Sequence, residues 1–475
     1  MRLTTSFIII AALTAAGTAP MLGPGLEARA GAPAVGNPTV IGPVPSTATP
    51  GDPSHDYPFF AAIADLAEAG YVEEEFFFDG TASRYSIASP LATATVLDGG
   101  FPYRTRMVVR RPASAKRFNG TVLMEWQNVT AGYDLDALWL AMSDHLIRRG
   151  YAWIGVSAQR VGIHQPGTGL KAWSPVRYGS LDVTVGGTIT NDALQFDIFS
   201  QAAQAVRNPI GIDPMAGLPV RQVLAAGASQ GAGRLVSYHN AIHPLAGVID
   251  GFLLVVGGRE VRTDLDTVVF KLLSETDVLG NAVAQSQALI RQPDSDHYRT
   301  WEVAGTAHLD YDVRTALEPV RTRDGIAPLP PACDAPQLSS IPLRFVSHAA
   351  LDHLVEWARF GFEPPTAPGI EIAVLGSPSI AARDSYLNAV GGIRLSQHAV
   401  PTATNTGVNL PASTFCRVYG SHEPFDQAVL ASLYPRHGTY VSQVTQQTQE
   451  NLSSGYIVLE DAIATVRAAA LSDIR

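Results

Sequence analysis

Only two cysteines occur in 475 residues, and charged side chains make up just 16% of the chain. Cys333 and Cys416 are too few for a disulfide-stapled scaffold, and neither lies in a metal-ligand spacing or beside a histidine pattern. No metal site and no cofactor is expected. Basic residues are also scarce. With 33 Lys and Arg against 43 Asp and Glu, the net charge of -10 argues against nucleic acid or an anionic membrane surface as partner. Beyond the N-terminus no apolar run reaches the length of a spanning helix, so stable membrane insertion is not expected. No repeat at the period of a solenoid or propeller is present either. What remains is a hydrophobic content of 46%, ample for a sizeable core.

The N-terminus reads as an export signal. Arg2 precedes an apolar run at residues 7–13, and Ala28-Arg29-Ala30 offers a small-x-small cleavage site. Residues 1–30 are therefore expected to be removed, leaving a secreted or periplasmic protein one unit more negative. A retained anchor is the rival reading, disfavoured because the run is short and Gly23-Pro24-Gly25 follows it. Residues 31–52, rich in Pro, Ala, Gly and Thr, read as a flexible linker. In an oxidising compartment Cys333 and Cys416 form a possible disulfide, with two unpaired thiols as the alternative.

From residue 121 onward, short apolar runs alternate with amphipathic stretches. Strands are expected at 121–126, 153–157, 223–226, 251–256, 268–273 and 299–303, with helices near 135–149 and around 196–201. Near-continuous apolar strands alternating with helices imply a mostly parallel sheet covered on both faces. Arg106-Met107-Val108-Val109-Arg110 reads as an edge-type antiparallel strand. A core over 53–365 is expected, with a long loop insertion near 158–192. Residues 366–475 form a C-terminal extension, helical in part, packed on that core or forming a wall of the pocket.

The chemistry concentrates at Gly227-Ala228-Ser229-Gln230-Gly231, a G-x-S-x-G pattern between an apolar strand and a helix-like run. That setting suits a nucleophile elbow, a sharp turn that lifts a serine hydroxyl clear of the backbone. Without further context Ser229 would read as a turn residue or helix cap. The context is positional, because catalytic groups of open α/β sheets lie just past the carboxyl ends of strands. Glu275 and Asp277 follow the strand at 268–273, and His308 follows the strand at 299–303. The chain order Ser, acid, His is that of an α/β-hydrolase triad. Asp277 is the preferred acid and Glu275 the alternative, the spare carboxylate then being solvated or a neighbour of the site. His239 and His243 lie on or after the helix following the elbow, where packing roles are favoured.

An ester-cleaving serine needs a base and a preorganised oxyanion hole. His308 would be the base. The backbone N–H of Gln230 would be one donor, and that of Asn128 or Val129, in the loop after the first parallel strand, the second. Trp126 and Tyr133 near that loop, and Trp173 in the insertion, are candidate pocket residues, with core filling an equally good reading of each. The insertion at 158–192 is the expected seat of specificity.

Glu125-Trp126-Gln127-Asn128-Val129, the run from Tyr151 through Gly162, Ala225-Ala226-Gly227-Ala228-Ser229-Gln230, Asp294-Ser295-Asp296 and the run from Trp301 through His308 together resemble one bacterial group. It is the alpha/beta hydrolase domain family, within the α/β-hydrolase superfamily, and the resemblance spans roughly residues 55–475. It implies a secreted serine hydrolase acting on a small-molecule carboxylic ester. A serine peptidase or amidase with the same triad, or a non-catalytic binding member of the fold, are the alternatives.

Overall fold

The computed structural model describes residues 35–281, 284–309, 311–328, 333, 338–411 and 415–474; the expected export signal lies outside them. The short apolar runs become six parallel strands: β4 (Thr121–Trp126), β5 (Ala152–Val156), β6 (Gln222–Ala228), β7 (Gly251–Val255), β8 (Val268–Ser274) and β9 (Tyr298–Val303). Apart from Thr300 in β9 their residues are all buried, as strands covered on both faces must be. Three antiparallel strands precede them: β1 (Thr39–Ile41), β2 (Tyr71–Ser86) and β3 (Thr95–Pro112). Among the described residues the order across this sheet is β1-β2-β3-β5-β4-β6-β7-β8-β9, parallel from β5 onward.

Two expectations fail on the antiparallel side. Residues 31–52 are not simply a linker, since Thr39, Val40 and Ile41 pair with Asp79, Phe78 and Phe77 and bury Val40. Three consecutive β-branched residues suit an edge strand better than a coil. The segment around Arg106 is not an edge either: β3 lies between β2 and β5. Its arginines mimic a solvent-facing pattern but are fully buried in ion pairs. Arg106 donates to Glu75 at 2.7 Å and approaches Asp134 at 3.7 Å, while Arg110 contacts Glu73 and Asp136, both at 2.7 Å. Removing one partner of such a pair typically costs about 3–5 kcal/mol, because the other charge stays buried.

The helices that position the site are α1 (Ala137–Arg149), α2 (Gln195–Arg207), α3 (Gln230–Ser237), α4 (Glu275–Leu279), α5 (Tyr311–Arg323) and α6 (Leu343–Phe360). Glu125, at the inner end of β4, accepts the Leu138 and Trp139 N–H groups at the start of α1 and so fixes the intervening loop. Two helices near the C-terminus, α7 (His437–Ser453) and α8 (Leu459–Leu471), make up part of the extension. The chain after residue 366 is tied back at several points. Ala304 N–H donates to the Ile393 carbonyl at 3.0 Å, and Asp461 on α8 sits 2.8 Å from His348 on α6. Cys333 and Cys416, 83 residues apart, are joined in a disulfide with Cα atoms 5.6 Å apart.

Candidate active site

Ser229 stands between the end of β6 and the start of α3 with φ 56° and ψ -115°. A non-glycine residue there is strained, at a typical cost of about 1–3 kcal/mol. The turn survives because its surroundings leave little alternative. The Ser229 N–H donates to the Val255 carbonyl at 2.9 Å, locking the elbow to the end of β7. A Cβ at position 227 would come within 2.8 Å of the Gly231 carbonyl carbon, and one at 231 within 2.6 Å of the Trp126 oxygen. Glycine is what allows β6, α3 and β4 to meet so closely.

His308 and Asp277 arrive from the ends of β9 and β8. The imidazole Nε2 lies 2.8 Å from Ser229 Oγ, and Nδ1 lies 2.8 Å from Asp277 Oδ1. The other Asp277 oxygen accepts from the Ser274 hydroxyl and N–H, closing a capping box at the start of α4. Burial disfavours the imidazolium, but the Asp277 charge and hydrogen bond outweigh it and hold the His308 pKa above its ordinary value. With Nδ1 protonated, Nε2 is free to accept the serine proton.

Glu275 faces elsewhere. It is fully buried rather than solvated, held by Arg383 at 2.6 Å and by the N–H groups of Gly305 at 2.7 Å and Gly407 at 3.0 Å. As α4 turns, its first residue points away from His308 and its third toward it.

The expected oxyanion donors separate. The Asn128 N–H is committed to the Leu135 carbonyl at 3.2 Å, because the loop closes on itself in an isolated bridge; this donor is withdrawn. The Asn128 side chain instead holds the elbow, donating to the Ala228 carbonyl at 3.1 Å. Val129 N–H makes only a long contact, 3.4 Å, to Gln230 Oε1. Gln230 opens α3, where a backbone N–H has no partner in its own helix. Its side chain also donates to Gln159 at 2.8 Å, so it braces both neighbouring loops.

Ser229 and His308 open into a cavity of about 260 Å³ with a largely apolar lining that includes Leu138, Val256 and Leu317. Tyr133 lines it. Trp126 does not: it is fully buried against Phe199, ring centres 4.8 Å apart, and its Nε1 donates to Gln159. Nor does Trp173, which stacks on His55 at 4.3 Å and donates to the Asp324 carbonyl. No residue of the 158–192 insertion lines the cavity, so the expected seat of specificity shifts. Its walls come instead from α1, α5, the start of α6 and the segment from Phe415 to Val418 beside the disulfide.

A model of the family described as alpha/beta hydrolase domain matches residues 40–467. The chain belongs to this family. The match confirms the fold expected from the sequence, and a hydrolytic function is the coarse activity it supports. No curated protein sequence matches the chain significantly. Among solved structures, XC6422 from Xanthomonas campestris, an a/b serine hydrolase without lid, is 14% identical over 47% of this chain and 87% of its own, with a TM-score of 0.29. A predicted CIB-like hydrolase from Thermoplasma acidophilum is 14% identical over 52% and 98%, with a TM-score of 0.26. A putative dienelactone hydrolase from Klebsiella pneumoniae subsp. pneumoniae is 14% identical over 52% and 82%, with a TM-score of 0.22. Likenesses this slight carry no argument about substrate.

Within this α/β-hydrolase domain, Ser274, Arg321, Phe415 and Val418 join the site or its walls without having been expected there from the sequence. Ser274 had a signal, since Ser274-Glu275-Thr276-Asp277 has the spacing of a capping box. The other three are brought to the cavity by tertiary packing and carry no local pattern.

Proposed function

We propose that the protein is a serine hydrolase cleaving carboxylic esters through a covalent acyl-enzyme, with Ser229 as nucleophile, His308 as general base and acid, and Asp277 as the orienting acid. The observation that carries this reading is the unbroken chain Asp277–His308–Ser229, both contacts 2.8 Å, at the wall of a largely apolar cavity. Ser229 Oγ attacks the ester carbonyl as its proton passes to His308 Nε2. The tetrahedral oxyanion is met by the Gln230 N–H, aided by the positive end of the α3 dipole, and by the Val129 N–H once it leaves its long contact with Gln230. His308 then protonates the departing alkoxide. Water, deprotonated by the same nitrogen, releases the acid and restores the serine.

The Asp277 carboxylate keeps the proton on Nδ1 and stabilises the imidazolium, and Ser274 holds that carboxylate in place. The apolar N-terminal run and the disulfide support an exported protein. Among the described residues no helix is long and apolar enough to cross a membrane.

Purified protein assayed on p-nitrophenyl esters and on the matching anilides tests the reading. Ester turnover that exceeds anilide turnover and disappears in Ser229→Ala is the expected result. Anilide preference points to a peptidase or amidase, and ester turnover surviving Ser229→Ala removes the mechanism.

A further inference from the structure

Buried arginines in this fold come with acids. Arg106, Arg110, Arg111, Arg177 and Arg299 all have ion-pair partners within 3.2 Å. Arg321, the sixth, is 6% exposed, and no side-chain partner for it occurs among the described residues; its Nε is fully buried and unbonded. It lines the same cavity as Ser229. Its neighbour on α5, Arg323, takes up Asp324. The nearby carboxylate of Glu318 is half-exposed and pairs with Arg314 at 3.9 Å.

Two phenols lie near Arg321, of which Tyr133 lines the cavity. The hydroxyls of Tyr133 and Tyr419 are buried without partners among the described residues. Burial raises the pKa of both; the Arg321 charge opposes that rise in Tyr133, and Arg314 followed by Arg321 opposes it in Tyr419, with the Glu318 carboxylate adding to it in each, so the guanidinium lies within electrostatic reach of both phenols. A cation and two O–H donors are thus left without a buried acceptor. Of the other charged groups lining the cavity, Asp277 is occupied by His308 and Ser274, Arg344 is paired with Asp312, and Arg417 is engaged elsewhere. A buried guanidinium without a counter-ion is unfavourable unless a ligand supplies one.

We infer that Arg321 anchors a carboxylate on the substrate, so that the cavity selects esters carrying a carboxylate across a short apolar spacer from the scissile carbonyl. The planar guanidinium suits bidentate recognition of that group, with the Tyr133 hydroxyl as an added donor. The cavity volume of about 260 Å³ restricts the spacer to a few carbons. The inference rests on Ser229 as the nucleophile that the ester must reach.

Two matched pairs of esters test it, each rate normalised to the compound's own alkaline hydrolysis. p-Nitrophenyl hemiglutarate against p-nitrophenyl valerate places the carboxylate on the acyl side; 4-carboxyphenyl acetate against phenyl acetate places it on the alcohol side. One charged ester should exceed its neutral partner in kcat/KM by about tenfold or more. Arg321→Gln should bring that ratio close to one, and Arg321→Lys should keep part of it. The responding pair identifies the side. Equal rates within both pairs, or a parallel loss on charged and neutral esters in Arg321→Gln, overturn the inference. Glutarate binding to the Ser229→Ala protein, followed by calorimetry, separates the two claims. Binding that is lost on adding Arg321→Gln upholds the anchor even if Ser229 proves not to be the nucleophile. Hydrolysis without such binding upholds the nucleophile and removes the anchor.

Discussion

Asp277 directs one oxygen to His308 and the other to Ser274, and this division makes its role separable from that of Glu275 two residues earlier. The base must be neutral to accept the serine proton, so kcat/KM should rise with pH through the His308 pKa. Asp277 raises that pKa, which places the limb above the ordinary histidine value of about 6.5. Asp277→Asn removes the charge, so the limb should move to lower pH while kcat falls on the order of 10⁴-fold. Glu275→Gln should leave the limb where it is and lower the melting temperature instead, since it strips a buried charge from Arg383 and loosens the loop at Gly305. A pH–rate profile of each variant beside a melting curve checks both; a limb that moves with Glu275 rather than Asp277 reverses the assignment. At this scale Ser229, His308 and the competing acids were legible because each follows a strand end. Arg321 was not, because burial and the lack of a partner are properties of the packed structure alone.

Among the elements, the segment from Phe415 to Val418 is the one whose placement depends on a covalent tie. It forms part of the cavity wall and carries Cys416, bridged to Cys333. Closing an 83-residue separation constrains the unfolded chain by about 4 kcal/mol in the loop-entropy account. The Cys333→Ala, Cys416→Ala protein should therefore melt lower than the oxidised parent. It should also lose more in KM than in kcat, because the wall moves while Ser229 and His308 stay put. Calorimetry and steady-state kinetics on the two proteins decide this; unchanged melting would mean the bridge contributes nothing to stability. The elements read best from the sequence were the parallel strands, whose unbroken apolar runs have one physical explanation. Strands β2 and β3 were harder to read, since Glu73, Glu75, Arg106 and Arg110 look solvated until the sheet places opposite charges together. The Thr39–Ile41 strand was hidden among prolines and glycines and exists only because β2 offers it an edge.

Across the whole molecule, one sheet delivers every candidate group to its carboxyl end: the β4 loop supplies Val129, β6 the serine, β8 the acid and β9 the histidine. That convergence follows from strand order, and strand order was implied by the alternation of apolar runs with helices. The cavity's specificity was not implied, because its walls come from α1, α5, α6 and a disulfide-tied segment rather than from the insertion after β5. The central claim is that Ser229 is a nucleophile activated by His308. Its most direct test is peptide mapping after exposure of the purified protein to a fluorophosphonate. The account predicts a single phosphonyl adduct on Ser229, strongly reduced in His308→Ala and absent from Ser229→Ala, with ester hydrolysis lost in step with labelling. An adduct on another residue, or full hydrolysis by protein unlabelled at Ser229, would contradict it.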